Sequence, residues 1–157
     1  MRWPTPSFFE NLLEEAGSIR EAGVFTDTVA ADRPAPMVAV ADIASAAAGL
    51  LLDRSWSGVG SVPVLGPQDL SPNDLARIMS EELGRPVRYQ RQPLDEMRST
   101  MLGYGLNEAF VEAMVDMKRA KDQGLDSGVA RSPQAGPATG FAQWCAQTLK
   151  PAVLAAA

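Results

Sequence analysis

Apolar residues fall along this chain in two patterns, short unbroken runs and stripes at helical spacing, and the two alternate. Met37-Val38-Ala39-Val40 is an apolar run that ends just before Asp42. A run without polar alternation suits a strand covered on both faces, as in a parallel sheet. Asp42 is then expected to cap a helix with Ile43, Ala46, Ala47, Leu50 and Leu51 on one face. The same grammar returns at Ser71-Pro72-Asn73-Asp74: a capping serine, proline at the first helical position and an acid in the first turn. Leu75, Ile78, Met79 and Leu83 form its buried stripe, and Gly84 stops it ahead of Arg85-Pro86. Val87 and Tyr89 then alternate with Arg88 and Gln90, the mark of a half-buried strand. Strand, cap and helix in succession predict an α/β fold in a single domain over residues 1–157.

The remaining segments are read by the same rules. Ser7-Phe8-Phe9-Glu10 has the spelling of a capping box and predicts a short helix over 7–16, with Leu12 and Leu13 inward and Gly17 or Gly23 ending it. Asp32, Pro34 and Pro36 make 26–36 a loop. Val62 to Leu65 is a second apolar run, which Pro63 assigns to a sheet edge or a strand start. A short helix over 93–102 turns Leu94, Met97 and Met101 inward and is broken by Gly103-Tyr104-Gly105. Asn107 caps the next, whose Phe110, Val111, Met114 and Met117 recur at helical spacing. Residues 126–140, rich in Gly, Pro and Ser, are expected to form a flexible loop. Thr139 opens a last helix carrying Phe141, Trp144, Cys145 and Leu149, which Pro151 weakens.

Composition narrows the chemistry. At 157 residues, 46% hydrophobic and 21% charged, the chain has enough apolar mass for one real core. A net charge of −5 argues against a nucleic-acid footprint. No run approaches the roughly 18 apolar residues of a membrane span. The single cysteine, Cys145, excludes an internal disulfide framework and fits a reducing compartment, so a soluble cytoplasmic protein is expected. Histidine is absent. That removes the commonest general base, the Ser–His and Cys–His pairs and most zinc sites. Chemistry is left to carboxylates, tyrosine, lysine, the thiol or a cofactor, with no metal site expected and no catalytic residue assigned.

Several residues carry two readings. Asp42 is a helix cap before it is an acid. Met97, Met101, Met114 and Met117 either pack a core or line a plastic apolar substrate pocket, over which Tyr104 would sit as a gate. Arg85, Arg88 and Arg91 either grip a phosphate or carboxylate or are solvated charges. Cys145, on an apolar helix face, reads as a buried, inert thiol.

Three stretches share a further feature. Arg2-Trp3-Pro4 with Phe8-Phe9-Glu10-Asn11-Leu12-Leu13, then Pro36-Met37-Val38-Ala39-Val40-Ala41-Asp42-Ile43-Ala44, then Leu65-Gly66-Pro67-Gln68-Asp69-Leu70-Ser71 with Glu82-Leu83-Gly84-Arg85-Pro86-Val87 occur in that order. In order and spelling they resemble the NmrA-like family, atypical members of the short-chain dehydrogenase superfamily. The resemblance implies a partial Rossmann-like fold: a few parallel strands and a helical C-terminal substrate lobe. It starts at the first residues, so the N-terminal glycine-rich βαβ half is expected to be absent. It also implies NADP or NAD as cofactor, with Pro4, Phe8 and Asn11 beside its nicotinamide end. Phe9 would stand on the substrate side, joined by Met97, Met101 and Tyr104.

No Gly-x-x-Gly-x-x-Gly turn and no Tyr-x-x-x-Lys pair occurs in the sequence, so dinucleotide binding by this chain alone is expected to be weak. The function implied is oxidoreductase-like, of the quinone or isoflavone reductase type. A non-enzymatic nucleotide-sensing or protein-interaction module is the alternative, as is an inactive truncated fragment. Strands with an unpaired edge further predict a homo-oligomer or a protein partner that covers it.

Overall fold

A computed structural model describes residues 6–155. The fold is mixed α/β: few, short strands and many helices. Strand β1 (Ser7–Phe8) pairs in parallel with β3 (Ala35–Val38), and β4 (Asp69–Leu70) pairs antiparallel on the other side of β3. A second ribbon joins β2 (Val24–Asp27) to β5 (Arg88–Arg91) in parallel. Helices α1 (Ala16–Ala22), α2 (Val40–Leu52), α3 (Pro72–Leu83), α4 (Leu94–Gly103) and α5 (Glu108–Asp122) fill the intervals, and 133–135 is a single tight turn. The chain closes with α6 (Phe141–Trp144), a wider π-helical stretch Cys145–Leu149, and α7 (Lys150–Leu154). No described helix is long and apolar enough to cross a membrane.

The core gathers Phe9, Ile19, Phe25, Met37, Met79, Val87, Trp144, Cys145 and Leu149. Each fully buried apolar side chain of this size stabilises by about 1.5–3 kcal/mol. The last helix contributes the four residues expected of it, Phe141, Trp144, Cys145 and Leu149, all buried. Its widening has a cause in the sequence. Pro151 has no N–H to give to the preceding turn, and Lys150 N–H reaches back five residues to the Cys145 carbonyl. Helix α3 forms as its start predicts. Ser71 accepts from Asp74 N–H, Asp74 accepts from Ser71 N–H, Pro72 opens the first turn, and Gly84 closes the helix at φ +67°.

Tertiary pairing overrides the local signals elsewhere. Residues 7–16 are not one helix. Ser7 pairs with Met37 as a strand, 9–13 form a 3₁₀ turn, and α1 begins only at Ala16 and ends at Gly23. The Glu10 carboxylate does not return to Ser7; it accepts from Val40 N–H and from the Trp144 indole N–H, both at 3.1 Å. The ends of the 26–36 loop are drawn into β2 and β3. Val62 to Leu65 joins no sheet, since Pro63 has no donor for a ladder; instead Gly66 N–H donates to the Met37 carbonyl at 2.7 Å.

Asp42 is not the cap of α2, a position taken by Ala39 without a side-chain bond. It lies in the first turn and reaches across the chain, accepting from Thr139 N–H and Oγ1–H at 2.7 Å each. Of the expected apolar face of α2 only Ala46 is buried, and Leu51 is 82% exposed. On α5, Val111 and Val115 turn inward at i, i+4, while Phe110 and Met117 are exposed. The true stripe is offset by one residue, about 100° of helix rotation, from the one the methionines suggest.

Candidate functional site

Ligands of open α/β sheets bind outside the carboxyl ends of parallel strands, which here means just past Phe8 and Val38. The pleat turns neighbours to opposite faces, and Phe8 and Phe9 part there accordingly. Phe8 is 38% exposed and Asn11 is exposed on the turn that follows. Phe9 is buried, its ring 5.1 Å from Phe141 and 5.6 Å from Trp144, a core aromatic rather than an open wall. Pro4 lies outside the described residues. The methionines differ in exposure: Met97 is buried, Met101 and Met114 are half-buried and Met117 is exposed. Tyr104 stands in the turn after α4 at 81% exposure.

The three arginines diverge. Arg85 donates to the carbonyls of Ile19 and Arg20, where a cation suits the C-terminus of α1. Arg20 in turn donates to the Ala152 and Val153 carbonyls and ties down α7. Arg91 bonds the Thr28 carbonyl and pairs with Asp122 at 2.8 Å, and Arg88 is exposed. Arg85 and Arg91 tie distant segments together, and the three arginines form no shared anion site among the described residues.

What the sequence reading missed is polar and lies under α5. Lys118 pairs with Asp27 at 2.7 Å, Lys121 with Asp126 at 2.5 Å, and Asp122 accepts from Ala30 N–H as well as from Arg91. Beside them the Tyr89 hydroxyl faces the carbonyls of Asp27 and Val29. Burial and the Asp27 carboxylate raise its pKa well above the ordinary tyrosine value, so it stays a neutral donor. The signal was available: Lys118, Lys121 and Asp122 follow the Val111–Val115 stripe at helical spacing.

A cleft of about 960 Å³ opens between α2, residues 56–62 and residues 134–139. Asp42, Trp56, Val59, Gln134, Thr139 and Gln143 are among its walls. Two carboxylates, Asp42 and Asp53, line it with no lysine or arginine, which does not suit phosphate. The strand-to-helix junctions fit a pyrophosphate no better. Ala39 stands between β3 and α2, Ser71 before α3 and Pro93 before α4, with no glycine at any of them. At α2 the Glu10 carboxylate already holds the first amide. The described residues therefore do not cradle dinucleotide phosphates.

The sequence profile of the NmrA-like family matches residues 6–136. This chain belongs to the NmrA-like family. The NAD(P)H azoreductase of Xenophilus azovorans is 34% identical over 113 residues, spanning 71% of this NmrA-like chain and 39% of the azoreductase. Among solved structures, the Citrobacter sp. triphenylmethane reductase complexed with NADP(H) superposes with a TM-score of 0.65 at 21% identity, over 92% of this chain and 48% of that one. The NADPH-dependent quinone oxidoreductase of Escherichia coli superposes with a TM-score of 0.67 at 22% identity, over 88% and 51%. The Rossmann-like reductase fold is thus shared, and the chain spans about half the length of these structures.

Proposed function

We propose that this NmrA-like chain is the acceptor-side part of an NAD(P)H-dependent reductase whose acceptors are quinone- or azo-like conjugated molecules. The observation that carries the reading is the pair Phe8 and Asn11. Phe8 at the carboxyl end of β1 and Asn11 just past it stay accessible, where the resemblance sets the nicotinamide end, while Phe9 between them is spent on the core. The names of the similar proteins supply the acceptor class. NAD(P)H would supply hydride when bound, and this chain's residues would orient the acceptor. The phosphate cradle of such an enzyme is not among the described residues, so the chain alone is expected to hold a dinucleotide weakly.

Calorimetric titration with NADPH and NADH tests that weakness, and micromolar affinity would refute it. Quinone-dependent oxidation of NADPH, followed at millimolar NADPH, tests the function. No turnover by a folded chain would leave the second reading, a protein-interaction module. The exposed Leu51 and Leu52 of α2 and the unpaired outer edge of β1 among the described residues favour that second reading.

A further inference from the structure

The cleft between α2 and residues 134–139 carries negative charge that nothing on its described walls offsets. Its charged side chains are Asp42, in the first turn of α2, and Asp53, which follows the last turn. Arg54 comes next in the chain but is not among the walls. Asp42 is committed, both of its oxygens accepting from Thr139. Asp53 keeps its charge open. The Ser55 hydroxyl, and after it the Ser55 N–H, hold its carboxyl below the ordinary value, and no cation shares it. Helix α2 ends here with no basic residue in its last turn, so its carbonyl end adds partial negative charge to the same place. An aromatic ring completes the corner. The Trp56 indole N–H donates to the Leu50 carbonyl at 2.9 Å, which fixes the ring against the end of α2, yet Trp56 is 56% exposed.

We propose that this cleft binds a small organic cation of the quaternary ammonium kind. The site stands apart from the reductase reading, since neither Phe8 nor Asn11 lines it. The face of an indole attracts a cation through its quadrupole, and the Asp53 carboxylate with the carbonyl end of α2 supplies the opposite charge. Ala46, Leu50 and Pro137 offer the alkyl groups apolar contact. At about 960 Å³ the cleft has room for a chain or ring attached to the cation. Other ligands fit less well. No three His, Cys, Asp or Glu side chains gather among the described residues, and one free carboxylate does not make the oxygen shell of a calcium or magnesium ion. A primary ammonium is strongly hydrated and brings three N–H donors that a single free acid does not satisfy. A quaternary ammonium has no N–H to satisfy, and its charge is spread over methyl groups that can lie against a ring.

Choline and 3,3-dimethylbutan-1-ol share one shape and differ by a quaternary nitrogen in place of a carbon. Each is titrated into the isotope-labelled 157-residue chain, and amide and indole N–H shifts are followed by NMR. Choline is expected to bind about fivefold more tightly, with shifts at the Trp56 indole N–H and at Gly49. Asp53→Asn keeps an oxygen for the Ser55 N–H and removes only the charge. That variant and Trp56→Leu are each expected to reduce the preference to about twofold or less, while Trp56→Phe, which keeps a ring, retains more of it than Trp56→Leu. Far-UV circular dichroism establishes that each variant is folded. If Asp53→Asn and Trp56→Leu both unfold, the wild type decides: its preference for choline must fall as sodium chloride is raised, because the charges are exposed. Equal affinity for the two probes, no binding of choline, shifts confined to residues outside the cleft, or a preference unchanged in either folded variant overturns the assignment. No NAD(P)H enters this titration, so its outcome is independent of the reductase assay.

Discussion

Glu10 shows how much one side chain decides here. It sits on the turn after β1, and its carboxylate ties the first amide of α2 and the Trp144 indole to the same point. Three distant stretches of chain are joined by one residue, which is why its local capping role is lost. Glu10→Ala is expected to destabilise by about 1–2 kcal/mol, chiefly by leaving the indole N–H of buried Trp144 unpaired, with altered Trp144 fluorescence; chemical denaturation followed by tryptophan emission measures it. Cys145 is decided by the opposite circumstance, with no polar partner. Burial, and secondarily the Glu82 carboxylate, push its thiol up from 9.0 to about 11. It is expected to resist a thiol reagent at pH 8 until the chain unfolds. The pH dependence follows in sign. Between pH 9 and 11 the folded chain keeps a proton that the unfolded chain has released. This contribution to stability is therefore complete below pH 9 and lost as pH rises toward 11. Denaturation midpoints across that range that stay level, or rise, would contradict a buried neutral thiol.

Among the elements, α3 has both ends set by local caps, which can be tested singly. Ser71→Ala removes the acceptor for Asp74 N–H and is expected to cost about 1 kcal/mol in a urea titration. Asp74, held below the ordinary carboxylate range first by the Ser71 hydroxyl and then by the Ser71 N–H, would lose the hydroxyl's share of that shift in the same variant. The junction of 66 with β3 is set by tertiary approach instead. A Cβ at Gly66 would lie 2.7 Å from the Met37 carbonyl oxygen, backbone that cannot swing aside. Gly66→Ala is expected to destabilise by about 1–3 kcal/mol through this overlap. A variant as stable as the wild type would show that the strand can shift to admit a methyl group. The cost is steric, not conformational, because Gly66 is not at positive φ.

At the scale of the molecule, the unsatisfied surfaces carry the prediction. The outer edge of β1 is unpaired among the described residues, and Leu51, Leu52, Val59 and Phe110 are exposed. Edges and apolar patches of this kind invite a partner, and in the purified chain the partner at hand is a second copy. Sedimentation velocity is expected to show a mass that rises with concentration. A monomer mass constant over the accessible concentrations would remove self-association, leaving a different protein as the partner to seek.

The sequence by itself determined what depends on neighbours along the chain. It was enough for the α/β grammar, for α3 from cap to αL glycine, for β5, for the buried face of the last helix, and for the family through three ordered stretches. A capping box, a left-handed glycine and an apolar run each act within a few residues. Tertiary structure decided the rest. Ser7 became a strand because Met37 offers a ladder, the Asp42 carboxylate serves Thr139 rather than the start of its own helix, and Phe9 was parted from Phe8 by the core. The Lys121–Asp126–Ser7 cluster joins residues up to 119 positions apart in the sequence, and neither the period of α5 nor the spelling of β1 announces that they meet. Burial and long-range hydrogen bonding set those partners, and both depend on which surfaces the whole chain brings together.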